Sequence, residues 1–540
     1  MKTNPVLNRY FLLITFLSLF VTFFRLGSIP LFDVDEAVFA EATKEMVQSG
    51  DWITPTYNGE NRYDKPIMFY WLMAVSYKVF GINEFGARFP SALTAVLLCL
   101  SIFLFVRRLY DDKKAFYSSL TFALSLYCLA YSHAAVTDMT LSLFISLSLF
   151  SFYLSLKKNR RYIYSFYLFS ALAFLTKGLI GIIFPFGIVF LYLLITEGIK
   201  GVCKATDIWG ILLFVAVSFP WYIAQYLING QEFIQQFIVK HHFTRYTGVV
   251  SGHRGPLYYY IPAIIAGLFP WIAFLPSGIR EVFQGTRSLK DLKNIGRNDD
   301  NHGLFFLLWF GVIFLFFSFS TTKLPNYILP AIPAVSILIS NGMHILKESL
   351  MQQGICNISN MRKRYAFIFI AVVSAMAGGA FLISRKYLAE NGINDINWTF
   401  GAASLMLALS LIGLYGIWKN KGLYGSIAAV MVCFFVLLVV KVIPLANTRL
   451  QGTLYKYSLY AKSSLRKDER ILTYRLNNPS IVFYSDHRII NARGKDRLLS
   501  VTSTEQVRMA IIKTKDINLL EEAGFGLLEK DDKYALLERN

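Results

Sequence analysis

Four acids fall within nine residues near the start of the chain, Asp33, Asp35, Glu36 and Glu41, and an Asp64-Lys65 pair follows in the same stretch. Carboxylates at this density serve as general bases, as anchors for a cationic substituent, or as helix starters. Asp33 and Asp35 are equally able to cap the helix that follows, so both readings stand at this point. Further along come Asp138, Lys177, the segment His241-His242-Phe243-Thr244-Arg245-Tyr246, then His253-Arg254, and Lys323 with Tyr327. Each is set among long apolar runs, where an ionisable group is costly unless it faces a cavity or a partner. Arginine grips phosphate bidentately and lysine acts as a point charge, so Arg245 and Lys65 are the residue types a phosphate or diphosphate headgroup requires. Adjacent histidines without regular spacing are a weak metal signal, because a third ligand must come from elsewhere. Asp138 has an alternative role as an N-cap, and Lys177 as a side chain reaching for the membrane surface.

The elements that must position these residues are apolar helices. The chain has 540 residues, 55% hydrophobic and 16% charged, with a mean hydropathy of +0.46. Ordinary soluble domains carry about a quarter charged residues. Repeated apolar runs long enough to cross a bilayer make this an α-helical polytopic membrane protein. Spans are expected at about 10–26, 89–106, 115–132, 138–156, 162–176, 178–196, 208–228, 257–278, 304–319, 325–346, 365–384, 398–418 and 423–443, thirteen crossings in all. Lys2 and Arg9 before Tyr10–Phe24, with no small-residue cleavage site, read as an uncleaved signal anchor.

Net charge is +20, but the basic residues cluster in alternate loops. Arg107-Arg108, Lys157-Lys158 with Arg160-Arg161, Lys200, Arg280, and Arg362-Lys363-Arg364 lie in the loops of one side. This is the positive-inside pattern, so the charge reports topology and not nucleic-acid binding. It places the N-terminus in the cytoplasm and the acids, Lys177, the histidines and Tyr327 together on the other side. Convergence of acids, bases and histidines at one membrane face points to a cavity for an anionic ligand. A transporter would instead place charge at the bilayer midplane between matching broken helices, and neither feature is plain here.

Two outer segments are long, 27–88 and 229–256. The first opens with an amphipathic helix, whose face is Val38, Phe39, Ala42 and Met46 and which Gly50 ends. A second short apolar stretch from Pro66 through Leu72 is expected to lie in the interface. After the membrane part, 1–444, charged residues become frequent, and 445–540 reads as a small α/β domain. Its strands are expected at 471–474, 481–484, 526–529 and 534–538, and its helices near 504–511 and 517–523. The basic set Arg488, Arg493, Lys495 and Arg497 reads as a solvated face. Five scattered cysteines, with no CxxC pair, indicate neither a disulfide framework nor a zinc-thiolate site.

The run Asp35-Glu36-Ala37-Val38-Phe39-Ala40-Glu41, then Gly50-Asp51-Trp52-Ile53-Thr54-Pro55, Asp64-Lys65-Pro66, Tyr70-Trp71 and Asn83-Glu84-Phe85-Gly86-Ala87-Arg88, resembles the first outer loop of the GT-C glycosyltransferases. Thr137-Asp138-Met139, Thr176-Lys177-Gly178, the segment from His241 to Pro256, and Lys323-Leu324-Pro325-Asn326-Tyr327 follow in family order. The nearest subgroup is the bacterial lipid A aminoarabinose transferases, which are related to protein O-mannosyltransferases. The resemblance implies thirteen helices with a small periplasmic C-terminal domain, in the bacterial inner membrane. It also implies a sugar donor linked to undecaprenyl phosphate, and lipid A or another envelope molecule as acceptor, reached from the periplasm.

Carried over by position, Asp35 and Asp138, with Glu36 beside the first, correspond to essential acids. Lys65, Arg245 and Arg254 correspond to donor-phosphate contacts, and Lys177 and Tyr327 line the cavity. Asp64, His241 and His242 resemble a divalent-metal site, for zinc or magnesium. Two departures matter. The family commonly has Asp-Glu-Gly-Arg-Tyr where this chain has Ala37, Val38 and Phe39, which removes an arginine. Asp64 replaces the usual glutamate, one methylene shorter. The donor sugar is therefore open, and a protein acceptor or a non-enzymatic lipid transporter stands as an alternative.

Overall fold

The computed structural model describes residues 8–237, 255–283, 302–348, 356–390, 393, 396–418, 422–504 and 507–539. His241, His242, Arg245 and Arg254 lie outside the described residues. Eight helices are long and apolar enough to cross a membrane: Glu84–Leu109, Asp138–Lys157, Ile180–Glu197, Ile208–Phe237, Pro325–His344, Met361–Glu390, Trp398–Gly416 and Leu423–Ser464. A ninth candidate is the pair Tyr260–Leu268 and Trp271–Val282, bent by 107°. The protein is a multi-pass membrane protein.

The other expected spans are helical but shorter. Arg9–Phe23 and Gly303–Phe319 are 15 and 17 residues, and Tyr162–Lys177 is 16. The stretch expected at 115–132 is two helices, Asp112–Ala123 and Leu126–Ser132. Ser125 breaks it by capping the second, its hydroxyl accepting from Cys128 N–H at 3.0 Å. Length and composition alone therefore show eight or nine crossings among the described residues, with the shorter apolar helices Arg9–Phe23 and Gly303–Phe319 beside them.

The first outer segment folds as read. Asp35–Ser49 is a helix with Val38, Phe39, Ala42 and Met46 buried, and Gly50 closes it in the left-handed conformation that a glycine adopts without strain. Met68–Phe80 is the short apolar helix, which keeps Val75, Val79 and Phe80 exposed, as an interfacial helix would. Between the two lies a two-residue hairpin, β1 (Thr56–Tyr57) with β2 (Glu60–Asn61).

The last membrane helix does not stop at 444. It runs on as one 42-residue element to Ser464, through a π-helical turn at Leu438–Val442. Its outer half packs Leu454, Tyr457 and Ala461 under a five-stranded sheet. The strands are β3 (Arg470–Tyr474), β4 (Ile489–Ala492), β5 (Val507–Lys513), β6 (Phe525–Lys530) and β7 (Tyr534–Arg539), in the order β4-β3-β5-β7-β6. β3 is parallel to β4 and β5, and β7 is antiparallel to β5 and β6.

Two expectations for this domain are corrected. Residues 481–484 are not a strand but lie in a short helix, Ser480–Ser485, in which every side chain is buried. A β-branched and aromatic run buried all round carries no periodicity to distinguish the two states. The helix expected near 504–511 is not found over its described part from Val507 on, which is strand β5, the Met509–Ile512 run being buried in the sheet centre. The basic set Arg488, Arg493, Lys495 and Arg497 is exposed, as expected of a solvated face, and the Arg488 guanidinium also lies over Gly59, within 2.7 Å of where a β-carbon would stand.

Candidate active site

Asp35, Asp138, Lys177 and Tyr327 occupy one end of the bundle. Asp35 and Asp138 are each the first residue of a helix, Lys177 is the last of its helix, and Tyr327 sits in the short 3-10 segment Pro325–Ala331. Neither acid is the N-cap: Val34 and Thr137 hold those positions, and neither makes a side-chain capping bond. That removes the capping explanation for both carboxylates and leaves them aimed elsewhere.

Asp138 is buried and pairs with Lys177, Nζ to Oδ1 at 2.5 Å. The Lys177 ammonium also lies over the Tyr327 ring, 5.4 Å from its centroid. Three residues from three separate helices thus form one unit, and Lys177 is no snorkelling flank. A buried ion pair of this kind persists only where further polar groups or a ligand complete it. Asp35 is exposed, and among the described residues its carboxylate accepts no hydrogen bond. The Tyr131 phenol lies within electrostatic range of both Asp138 and Asp35, which places the two acids around the same space.

Glu36 has a different job from its neighbour. Its carboxylate takes Arg88 bidentately, Nε to Oε1 at 3.0 Å and Nη2 to Oε2 at 2.9 Å. It also accepts from Phe32 N–H at 2.8 Å and Ala135 N–H at 2.6 Å. Arg88 donates in addition to the carbonyls of Leu26, Ile29 and Pro30. With four donors on two oxygens, Glu36 is a strut and not a reacting acid: it joins the start of the Asp35 helix to the turn that leads into Asp138. Grouping Glu36 with the catalytic acids is therefore corrected.

Asp64 meets Arg62, Nη2 to Oδ2 at 2.7 Å, and Arg62 donates from Nε to the Tyr70 hydroxyl at 3.1 Å. Burial works against the Arg62 charge, but Tyr70, Asp64 and Asp35 outweigh it and hold the guanidinium above its usual range. Lys65 lies half-buried beside them and donates to the Asp64 carbonyl at 3.1 Å. Arg62 is a cation near Asp35 that the sequence did not single out, since nothing in Asn61-Arg62-Tyr63 marks it as more than a loop residue. Lys323 is elsewhere engaged: its ammonium donates to the carbonyls of Phe317, Ser318 and Ser320 and closes the end of the Gly303–Phe319 helix.

For a metal, the donor set is poor. Asp64 is committed to Arg62, and no group of three or more His, Cys, Asp or Glu residues converges among the described residues. The two histidines of the expected set, His241 and His242, lie outside the described residues.

The C-terminal domain is docked on the stretch that precedes Asp35. Asp33 accepts from Ser480 N–H at 2.8 Å, Ser480 Oγ at 2.6 Å and Asn478 Nδ2 at 3.0 Å. Leu31 N–H donates to the Tyr484 hydroxyl at 2.7 Å, and Asn58 exchanges two hydrogen bonds with the Ile489 backbone. Lys44 bridges Glu41 at 3.2 Å and Asp486 at 2.7 Å. Burial pushes the Glu41 carboxyl up to about 7, and the Lys44 ammonium beside it offsets only part of that rise.

Comparison with known proteins bears on the fold and the family. Residues 64–223 match the family described as dolichyl-phosphate-mannose-protein mannosyltransferase. An uncharacterised protein of Aquifex aeolicus is 32% identical over 381 residues, covering 70% of each chain. The fold matches ArnT from Cupriavidus metallidurans, solved bound to undecaprenyl phosphate, with a TM-score of 0.79, 22% identity and 97% of each chain covered. The chain belongs to the GT-C glycosyltransferases. An undecaprenyl phosphate-alpha-4-amino-4-deoxy-L-arabinose arabinosyl transferase of Aeromonas hydrophila is 31% identical over 342 residues, 62% of this chain and 60% of that one.

Proposed function

We propose that this glycosyltransferase moves a sugar, an aminosugar such as 4-amino-4-deoxy-L-arabinose, from undecaprenyl phosphate to lipid A at the periplasmic face of the bacterial inner membrane. The observation that carries the reading is the gathering of Asp35, Asp138, Lys177 and Tyr327 at one end of the bundle, tied by the Glu36–Arg88 strut. The named relatives and the undecaprenyl phosphate held by the structural match supply the donor class.

The reaction is a single displacement with inversion. A phosphate oxygen of the acceptor attacks the anomeric carbon, the bond from that carbon to the donor phosphate breaks, and undecaprenyl phosphate leaves as an anion. Lys65, with Arg245 and Arg254, is assigned to the leaving phosphate, where pre-placed cations usually supply the largest catalytic term. Lys177, held by Asp138, presents an ammonium beside Tyr327 at the sugar. An acceptor phosphate is already a nucleophile and needs no general base. Asp35 then serves to bind the sugar ammonium or to orient the acceptor.

Purified protein, undecaprenyl phosphate-linked aminoarabinose and lipid A in detergent test the proposal directly. Modified lipid A is expected with the wild type and at least about 100-fold less with Asp35→Asn at equal expression. An Asp35→Asn protein of full activity removes Asp35 from the mechanism. The protein-mannosyltransferase description of the 64–223 match favours a protein acceptor as the second reading. Mass spectrometry of lipid A and of envelope proteins from a deletion strain separates the two.

A further inference from the structure

At the end of the bundle away from Asp35, the bent pair Tyr260–Leu268 and Trp271–Val282 leaves a cleft against the helices Gly303–Phe319 and Cys356–Glu390. Its volume is about 670 Å3, and its walls are apolar, chiefly Ile264, Ile272, Phe310, Phe314 and Phe369. Two guanidiniums interrupt that lining, Arg280 and Arg362. They lie within electrostatic range of each other, and the Arg362 Nε is buried without a hydrogen-bond partner among the described residues. Glu281 is also in range of Arg362.

The depth of the cleft follows from its neighbours. Tyr260 packs against Phe317, beside Tyr327 at the active-site end. Gly278, two residues before Arg280, packs on Leu338 and Gly342, three helical turns further along the next span. The arginines therefore lie at the end where the basic loops gather, which is the inner leaflet by the positive-inside pattern. Two cations bordering apolar walls at headgroup depth favour an anionic headgroup over a neutral one.

We propose that this cleft binds an anionic glycerophospholipid of the inner leaflet, its acyl chain along Ile264 and Phe314 and its headgroup phosphate between Arg280 and Arg362. The site is separate from the sugar-transfer centre and its test does not depend on activity. Basic pockets between membrane helices on the cytoplasmic side recognise lipid headgroups in this way, and arginine holds phosphate by paired charge-assisted bonds.

Native mass spectrometry of the purified full chain, with phosphatidylglycerol and phosphatidylcholine as probes, tests the assignment. Phosphatidylglycerol is expected to be retained at least about tenfold more strongly, the equivalent of one charge-assisted contact. Arg280→Gln with Arg362→Gln is expected to abolish the preference. Arg362→Lys alone, which keeps the charge, is expected to keep most of it and controls for folding. Equal retention of the two lipids overturns the proposal, as does an intact preference in the double variant. Displacement of phosphatidylglycerol by equimolar undecaprenyl phosphate also overturns it, by making the cleft a second seat for the donor lipid.

Discussion

Replacing Arg88 with methionine is the sharpest test of how the site is held. Arg88 and Glu36 have side chains 1% and 5% exposed, so neither has water to fall back on. Arg88→Met leaves the Glu36 carboxylate buried with only the Phe32 and Ala135 amides, and strips a donor from the carbonyls of Leu26, Ile29 and Pro30. Breaking a buried pair from one side costs about 3–5 kcal/mol, most of it the uncompensated charge. Removing both partners with apolar side chains of similar volume recovers much of that. The expected order of thermal stability in detergent is therefore wild type, then Arg88→Met with Glu36→Leu, then Arg88→Met alone. Transfer activity is expected to fall in all the variants, including the recovered double variant, because the strut sets both the Asp35 helix and the turn before Asp138. An Arg88→Met protein with unchanged stability and full activity would refute the argument at both levels. A double variant less stable than the single one would refute the charge explanation alone.

Lys177→Met leaves the Asp138 carboxylate buried and unpaired, and is expected to reduce the transfer rate at least about 100-fold, measured with the aminoarabinose donor and lipid A. Docking of the C-terminal domain is expected to depend on pH through Glu41. Its carboxyl is raised from 4.5 to about 7 in the folded protein, so its contribution is complete below about 4.5 and is lost as pH rises through 7. The full loss is about 3 kcal/mol. Hydrogen exchange of residues 478–489, corrected for intrinsic rate, should then quicken between pH 6 and 8 in the wild type and stay level in Glu41→Gln. Gly59→Ala forces a side chain onto a residue at φ +78° and displaces the Arg488 guanidinium. It is expected to cost about 1 kcal/mol and to raise protease sensitivity of the exposed turn at Lys467, between the long helix ending at Ser464 and β3.

The parts of this molecule that a linear reading captures are those fixed by local pattern. The Asp35–Ser49 helix was legible because its apolar face and its closing Gly50 are written within fifteen residues. The placement of Asp138, Lys177 and Tyr327 at one end followed from counting helices and basic loops, and it survives a change in the number of full spans. Pairing was not legible. Asp138 and Lys177 are 39 residues apart, and Glu36 and Arg88 are 52 apart, distances over which no periodicity operates. One signal for Arg88 was present: a lone cation beside Phe85, Phe89 and Pro90 at the head of a 26-residue apolar helix needs a partner. The helix at Ser480–Ser485 escaped because burial on every side erases the alternation that separates strand from helix.

The 42-residue helix from Leu423 to Ser464 makes the last span and the sheet domain a single lever. Its outer half lies under the sheet, and the domain grips Leu31 and Asp33, four and two positions ahead of the exposed acid. A change in bilayer thickness that retilts the last span must therefore tug on the backbone leading into Asp35. Lipid composition becomes, by this linkage, a mechanical input to the reaction centre.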